Sequence, residues 1–326
     1  MGHAHAPSWQ LLKSIGAELV GVVSNRTEST EAFADQYGIR AYDTLSILID
    51  DVDILDICVP THLHREMTEQ AAQAGKHVIC EKPMALTVED AQAMINACET
   101  AGVHLYIAHV VRFISQYRLA KQSIDAGDIG KPGVIRLTRA GYQPRKKTDN
   151  WFVDESRSGG MMLDLMVHDY DYARWIGGDV ERVYAKSVRG TTPDAPGDYA
   201  LVSLRFRDGA IAHIEGGWAY PPGFFRTSMD IAGTDGVIEY QSDDAQSLYT
   251  HLANPPQVEA DEVAVPAAKA ADSPFTAQLR NFYNAIVHDE TPIVTAEEAL
   301  KALEVGLAAI ESTKTGQPVL LSQEGS

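Results

Sequence analysis

Between residues 18 and 109 short apolar runs alternate with helix-patterned stretches, and that order restricts the chain to βαβ units built around a parallel sheet. Glu18-Leu19-Val20-Gly21-Val22-Val23 reads as a strand, followed by a helix from about Thr27 to Tyr37 that stops at Gly38. Ile54-Leu55-Asp56-Ile57-Cys58-Val59 is the next strand, closed by Pro60, with Thr61 set to cap a helix running towards Gly75. His77-Val78-Ile79-Cys80 follows as a third strand. Thr87 opens a further helix with Asp90 three residues on, an approximate capping box, and that helix ends near Gly102. Val103 to His109 is the last apolar strand of this series.

From about Gly133 the texture changes to longer strands with polar alternation: Val134 to Arg139, Val180 to Ser187, Tyr199 to Phe206, Ala210 to Trp218 and Ser228 to Ala232. Arg207-Asp208-Gly209 joins two of them as a hairpin, so an antiparallel sheet is expected. Two helices close the chain, Phe275 to His288 and Glu297 to Thr313, the latter capped by Thr295, while Ser242 to Asp272 is aperiodic and reads as a connection. The expected architecture is α/β. A Rossmann-type parallel-sheet domain spans 1–110, and an α+β domain with a large, mostly antiparallel sheet spans 111–326.

The formal net charge of -18 argues against nucleic acid and against an anionic membrane surface, because binding a polyanion needs clustered Lys and Arg. A small molecule is the expected partner. Cys58, Cys80 and Cys98 form no C-x-x-C pair, and two of them sit inside apolar runs, which points to a reducing, cytoplasmic setting. No charged-then-apolar leader and no apolar run of about 18 residues is present.

Chemistry concentrates in three places. Glu81-Lys82-Pro83 sets a lysine at the C-terminal end of a strand, the edge of a parallel sheet where ligands bind. Pro83 fixes its own backbone and pushes Lys82 into an extended conformation, so the lysine is held in a defined direction. Gly159 to Asp171 reads as one helix after a glycine pair, with Asp164 and His168 four apart on one face. A histidine that accepts a proton near neutral pH, beside a carboxylate that orients it or binds substrate, is a general acid/base pair. The plain alternative is a polar pair on a solvated face, which the apolar neighbours Met161, Met162, Leu165, Met166 and Val167 weaken. Val59-Pro60-Thr61-His62-Leu63-His64 lies where a strand meets a helix N-terminus, suited to a nucleotide's phosphates or amide-bearing ring. No metal is expected: His62 and His64 point in different directions at i,i+2, no ligand set completes them, and His3 and His5 fare the same.

Taken together these residues resemble the glucose-fructose oxidoreductase/inositol dehydrogenase (Gfo/Idh/MocA) family of nicotinamide-dependent oxidoreductases. The matching stretches are Met1-Gly2-His3-Ala4-His5-Ala6, Val59-Pro60-Thr61 with His64, Glu81-Lys82-Pro83, His109-Val110-Val111-Arg112-Phe113, and Ser158-Gly159-Gly160 through Asp164 and His168 to Asp171. The resemblance implies a hydride transfer between NAD(P) and a secondary hydroxyl of a sugar, polyol or related compound. In it Lys82 contacts the reacting hydroxyl and the nicotinamide side, His168 accepts the proton and Asp164 orients the substrate. It further implies that Gly2, His5, Ser24, Asn25, Arg26, Val59, Pro60, Thr61, His64, Glu81 and Lys82 bind the cofactor. Arg112, Trp151 and Tyr220 are candidates for the substrate pocket. The resemblance also implies an open sheet of the kind that forms oligomer interfaces, and with it a homodimer or homotetramer.

The chain departs from the family pattern at its start: Gly2 corresponds to the last glycine of G-x-G-x-x-G, and the first strand and first two glycines have no counterpart. A late start assignment is the expected reason, because losing a buried central strand leaves both neighbours unpaired; a compensated sheet that binds cofactor poorly is the alternative. Ser24-Asn25-Arg26 offers no carboxylate against a 2′-phosphate and an arginine to pair with it, which favours NADP with NAD still open. Two other activities stay open: a non-catalytic regulatory relative, although Lys82, Asp164 and His168 are all present, and a redox-assisted glycoside hydrolase.

Overall fold

A computed structural model describes residues 1–144, 149–188, 198–220, 223–243, 248–252 and 273–322. The chain divides into two compact units, Met1–Phe113 with Asp272–Leu300, and Ile114–Ala271 with Lys301–Ser326.

The first unit runs α1 (Gly2–Leu11), β1 (Gly21–Val22), α2 (Thr27–Tyr37), β2 (Arg40–Ala41), α3 (Leu45–Asp50), β3 (Ile54–Ile57), α4 (His64–Gln73), β4 (His77–Cys80), α5 (Val88–Ala101) and β5 (Leu105–Ile107). Every strand pair in it is parallel. Val78, Ile79 and Cys80 of the central strand β4 are all buried, as a strand covered on both faces requires. The Thr87 hydroxyl accepts the Asp90 N–H at 3.1 Å and caps α5, which stops at Gly102 in the left-handed region. Thr61 behaves differently from expectation. It opens a 3-10 turn, Thr61–Leu63, ahead of α4, and its side chain caps nothing. β1, β3 and β5 are shorter than their apolar runs, because only the residues with a ladder partner count as strand. The ladder is also interrupted: β1 and β2 form one sheet, and β3, β4 and β5 another.

The second unit holds α6 (Ser115–Asp125), β6 (Pro132–Ala140), α7 (Glu155–Ser158), α8 (Gly160–Asp164), α9 (Val167–Gly177), β7 (Val180–Val188), β8 (Tyr199–Phe206), β9 (Ile211–Gly217), β10 (Arg226–Gly233), β11 (Gly236–Gln241) and β12 (Leu248–Leu252). After α10 (Pro274–His288), α11 (Ala296–Thr315) leads to β13 (Val319–Leu320). Eight strands make one sheet in the order β12-β11-β10-β6-β9-β8-β7-β13. In β8, Ala200, Val202, Leu204 and Phe206 are buried at every second position, the mark of a sheet packed on one face. The hairpin at Arg207-Asp208-Gly209 forms as expected, with Gly209 in the left-handed region.

The sheet is mostly antiparallel as expected; β6 and β9, which are not consecutive and meet through long connections, pair in parallel. Two sequence expectations need correction. Residues 248–252, read as part of a connection, add an edge strand to β11; 244–247 and 253–272 lie outside the described residues. Residues 272–300, assigned by sequence to the second domain, belong to the first compact unit. The reason is an apolar face on α10: Leu279, Phe282 and Tyr283 join Trp9, Leu12, Ile79, Tyr106 and Phe113 in one buried cluster. Phe282 stacks on Tyr106 with ring centres 5.0 Å apart. Thr295 caps α11 as expected, accepting the Glu298 N–H at 3.3 Å. Among the described residues no helix is long and apolar enough to cross a membrane.

Candidate active site

β3 and β4 run side by side with Ile57 opposite Cys80, so the segments that follow them, Val59-Pro60-Thr61 and Glu81-Lys82-Pro83, leave the same carboxyl edge of the sheet. The Glu81 N–H donates to the Ile57 carbonyl at 2.9 Å and fixes the first residue beyond β4. The Lys82–Pro83 peptide is cis.

Glu81 is buried, and its carboxylate faces two ways. Its Oε2 accepts the Lys82 N–H at 3.2 Å, and its Oε1 lies 3.1 Å from Nε2 of His5. His5, on α1 and 2 % exposed, sets its Nδ1 2.9 Å from Oδ2 of Asp56 on β3. Trp9, one turn along α1, donates its indole N–H to the same oxygen at 2.7 Å. Burial is the largest influence and opposes charge on the His5 ring, but Asp56 and Cys58 together outweigh it and hold the imidazole well above the usual histidine range. Burial likewise works against the Asp56 and Glu81 carboxylates, and His5 reverses it, leaving both below the usual carboxylate range. Burial, with Asp56 nearby, pushes the Cys58 thiol up to about 12, so Cys58 is a neutral S–H beside Asp56.

This cluster was not foreseen from sequence, because its members come from positions far apart in the chain. His5, Asp56 and Cys58 offer donor atoms all within 4.8 Å of one another. Donors sharing one ion stand on the order of 3.3 Å apart or more when each is about 2 Å from it. At 2.9 Å the His5–Asp56 contact is a hydrogen-bonded ion pair instead.

His64 is buried at the head of α4, with Nε2 3.0 Å from the Val59 carbonyl and Nδ1 3.0 Å from that of Pro83, so it ties the two edge segments together. Burial holds its ring below the usual histidine range. His5, His64 and Glu81 were all expected at the cofactor; their polar atoms turn inward, those of His64 to the backbone and those of Glu81 to the Lys82 N–H and to ion-pair distance from His5. Arg112, expected in the substrate pocket, is 1 % exposed and donates to the Ile293 carbonyl at 2.9 Å and to Glu298 at 2.8 Å. A buried guanidinium needs such partners, so its role is internal. Gly2 opens α1, which has no side-chain cap and no acidic residue in its first turn. Beyond β1, the Ser24 hydroxyl lies 2.6 Å from that of Thr30 and 3.3 Å from the Arg26 N–H. Thr61 is 2 % exposed and its hydroxyl has no hydrogen-bond partner, an orphaned polar atom in the segment expected to meet a nucleotide's phosphates or amide-bearing ring.

In the second unit the expected single helix over 159–171 is two. α8 ends at Asp164 and α9 begins at Val167, with Leu165 and Met166 outside both. Tertiary contacts force the break. Met166 fills the space above Gly216 of β9, where a Cβ would lie 2.4 Å from its Cγ, while Asp169 turns to Arg139 of β6 in a bidentate pair at 2.7 and 3.0 Å. The expected same-face placement of Asp164 and His168 thus spans a two-residue interruption, whose residues both keep right-handed helical backbone. Upstream, Gly159 and Gly160 both adopt left-handed backbone, and a Cβ on Gly159 would meet Leu163 at 2.4 Å. The Ser158 hydroxyl pins this turn by donating to the Phe152 carbonyl at 2.8 Å and accepting the Gly160 N–H at 2.9 Å. Trp151 stacks on Phe152 at 3.9 Å between ring centres. Tyr220 stacks on Phe224 at 4.9 Å and donates its N–H to the Gly141 carbonyl at 3.2 Å.

The Arg139–Asp169 pair anchors the helix that carries His168. Arg139→Met leaves Asp169 buried without its cation and is expected to lower stability by about 3–5 kcal/mol, whereas Arg139→Met with Asp169→Leu restores most of it. Urea midpoints of the three proteins check this; an unchanged midpoint in the single variant contradicts it.

Comparison with known proteins places these observations. Residues 1–109 match the Gfo/Idh/MocA oxidoreductase family, NAD-binding Rossmann fold, and residues 117–239 match the Gfo/Idh/MocA C-terminal domain. A 1,5-anhydro-D-fructose reductase of Ensifer adhaerens is 31% identical over 94% of this chain and 92% of its own. A scyllo-inositol 2-dehydrogenase (NAD(+)) of Bacillus subtilis is 30% identical over 98% of this chain and 93% of its own. The WlbA dehydrogenase of Bordetella pertussis, solved with NADH and UDP-GlcNAcA, shares the fold with a TM-score of 0.86 at 24% identity, covering 99% of this chain and 95% of that one.

Proposed function

The chain belongs to the Gfo/Idh/MocA oxidoreductase family, and from that premise we propose that it transfers a hydride between a nicotinamide cofactor and a secondary hydroxyl of a sugar or polyol. The observation that carries this reading is Lys82 on a backbone gripped at the carboxyl edge of β4, beside Pro60-Thr61 at the edge of β3. The residues fit the cofactor: the orphaned Thr61 hydroxyl suits a polar ligand atom, and the uncapped first turn of α1 at Gly2 suits a phosphate. When bound, the nicotinamide accepts or delivers the hydride.

The chain's own side chains do the rest. As a hydroxyl becomes a carbonyl its proton must leave and its oxygen must be stabilised. His168 takes that proton, the Lys82 ammonium donates to the oxygen, and Asp164 orients the neighbouring hydroxyls. Trp151 and Tyr220 offer ring faces to the apolar side of a sugar. The hydroxyls of Ser24 and Thr30 with the Arg26 side chain favour a 2′-phosphate, so NADP is the preferred form.

Reduced-nicotinamide absorbance across a panel of polyols, anhydrosugars and glycosides tests both parts. Stoichiometric reduced cofactor is expected with at least one polyol or sugar, with kcat/KM for NADP+ about 10-fold above that for NAD+ and the order reversed in Arg26→Ala. Glycoside cleavage without net cofactor reduction overturns the dehydrogenase reading, and an NAD+ preference in the wild type overturns the cofactor assignment alone.

A further inference from the structure

We propose that His5 is a positioning residue for Lys82, acting through the Glu81 carboxylate. The inference rests on the reading of Lys82 as the group that meets the substrate oxygen. His5 stands on α1, and none of its ring atoms needs to reach a ligand for the effect.

The connection is continuous. Asp56 of β3 is held by Trp9 at 2.7 Å and in turn holds Nδ1 of His5 at 2.9 Å. The opposite nitrogen of the ring lies 3.1 Å from one Glu81 oxygen, and the other Glu81 oxygen accepts the backbone N–H of Lys82 at 3.2 Å. Nδ1 is hydrogen-bonded to Asp56 and Nε2 stands at ion-pair distance from Glu81, so the protonated ring is a cation held between two anions. Without that cation the buried Glu81 carboxylate faces the partly buried Asp56 carboxylate unpaired, so the Glu81 side chain would have to protonate or rotate away from the Lys82 N–H. On the far side of Lys82, His64 fixes the Pro83 carbonyl. Lys82 therefore sits between two buried holds, and His5 supplies the charged one.

The groups facing His5 are Asp56 from β3, Cys58 just beyond it, Glu81 beyond β4 and, from α10, the Phe275 ring at 6.0 Å; Lys82 lies beyond Glu81. The His5 ring is held above its ordinary range, so its hold is complete below that range and is lost as pH rises through the raised value. The carboxylates are held below theirs, so their share is lost as pH falls through the lowered values.

The test is a cycle of His5→Gln, Glu81→Gln and the double variant, with Lys82→Met as reference. A displacement of about 1 Å at a reacting group costs about 100-fold, so kcat is expected to fall about 10- to 100-fold in His5→Gln while KM values for substrate and cofactor move less than about 3-fold. Because the two residues act as one unit, the double variant is expected to lose no more than the worse single. The double variant also removes the charge imbalance, so it remains informative where His5→Gln folds poorly. Wild-type kcat in the double variant overturns the proposal, as do losses that multiply. A lowered melting temperature with unchanged kcat per folded molecule also overturns it. If Lys82→Met itself turns over normally, the failure lies in the reading of Lys82, and the positioning role falls with it.

Discussion

Lys82→Met is expected to lower kcat about 100- to 1,000-fold, the usual cost of removing one charged donor from a developing oxyanion. Methionine keeps the length and flexibility of the side chain and removes only the ammonium. The Lys82 backbone is held by Glu81, and its loop by His64, so the substitution leaves the loop in place. The dissociation constant for reduced cofactor, read by fluorescence titration, should therefore move less than about 3-fold while single-turnover hydride transfer slows. Wild-type turnover would remove Lys82 from the chemistry.

His168→Asn should cost more in pH dependence than in fold. The helix that carries it is anchored by its neighbour Asp169, which is paired with Arg139, and by Met166 over Gly216. Substitution at 168 leaves these contacts intact, so the circular dichroism spectrum and urea midpoint should match the wild type. Loss of a general base typically costs about 10²- to 10⁴-fold, and kcat/KM for alcohol oxidation should lose the acid-side limb that a titrating base produces. Partial recovery on adding imidazole would identify the missing group as a proton acceptor. A retained acid limb at near-normal rate would assign the proton to another residue.

Several parts of the site were legible in sequence because their causes are local. β4 is a run of four residues with no polar interruption except His77, and α2 and α5 end at glycines that take left-handed backbone. Thr87 and Thr295 cap helices because each hydroxyl needs only a partner three residues away. Lys82 stands out for the same reason, a strand end followed by proline.

Other parts have causes that no window of sequence contains. The helix read over 159–171 breaks because Met166 meets a glycine on β9 and Asp169 meets an arginine on β6. Arg112 is internal because Glu298, far along the chain, returns to pair with it. Residues 272–300 join the first unit because the apolar face of α10 completes the cluster around Tyr106 and Phe113. His5 and Glu81 carry no mark in sequence that they form an ion pair; only the parallel pairing of β3 with β4, with α1 packed against it, brings them together.

By itself, then, the sequence determined the alternation of strands and helices, the helix ends at Gly38, Gly102, Thr87 and Thr295, and the presence of a lysine, an aspartate and a histidine suited to hydride-transfer chemistry, since these depend on side-chain type, period and neighbours within a few residues. Tertiary structure alone decided which charged groups are buried and which partner each takes. Burying a charge is favourable only with a counter-charge or hydrogen bonds within about 3 Å, and those partners come from elements distant in the chain.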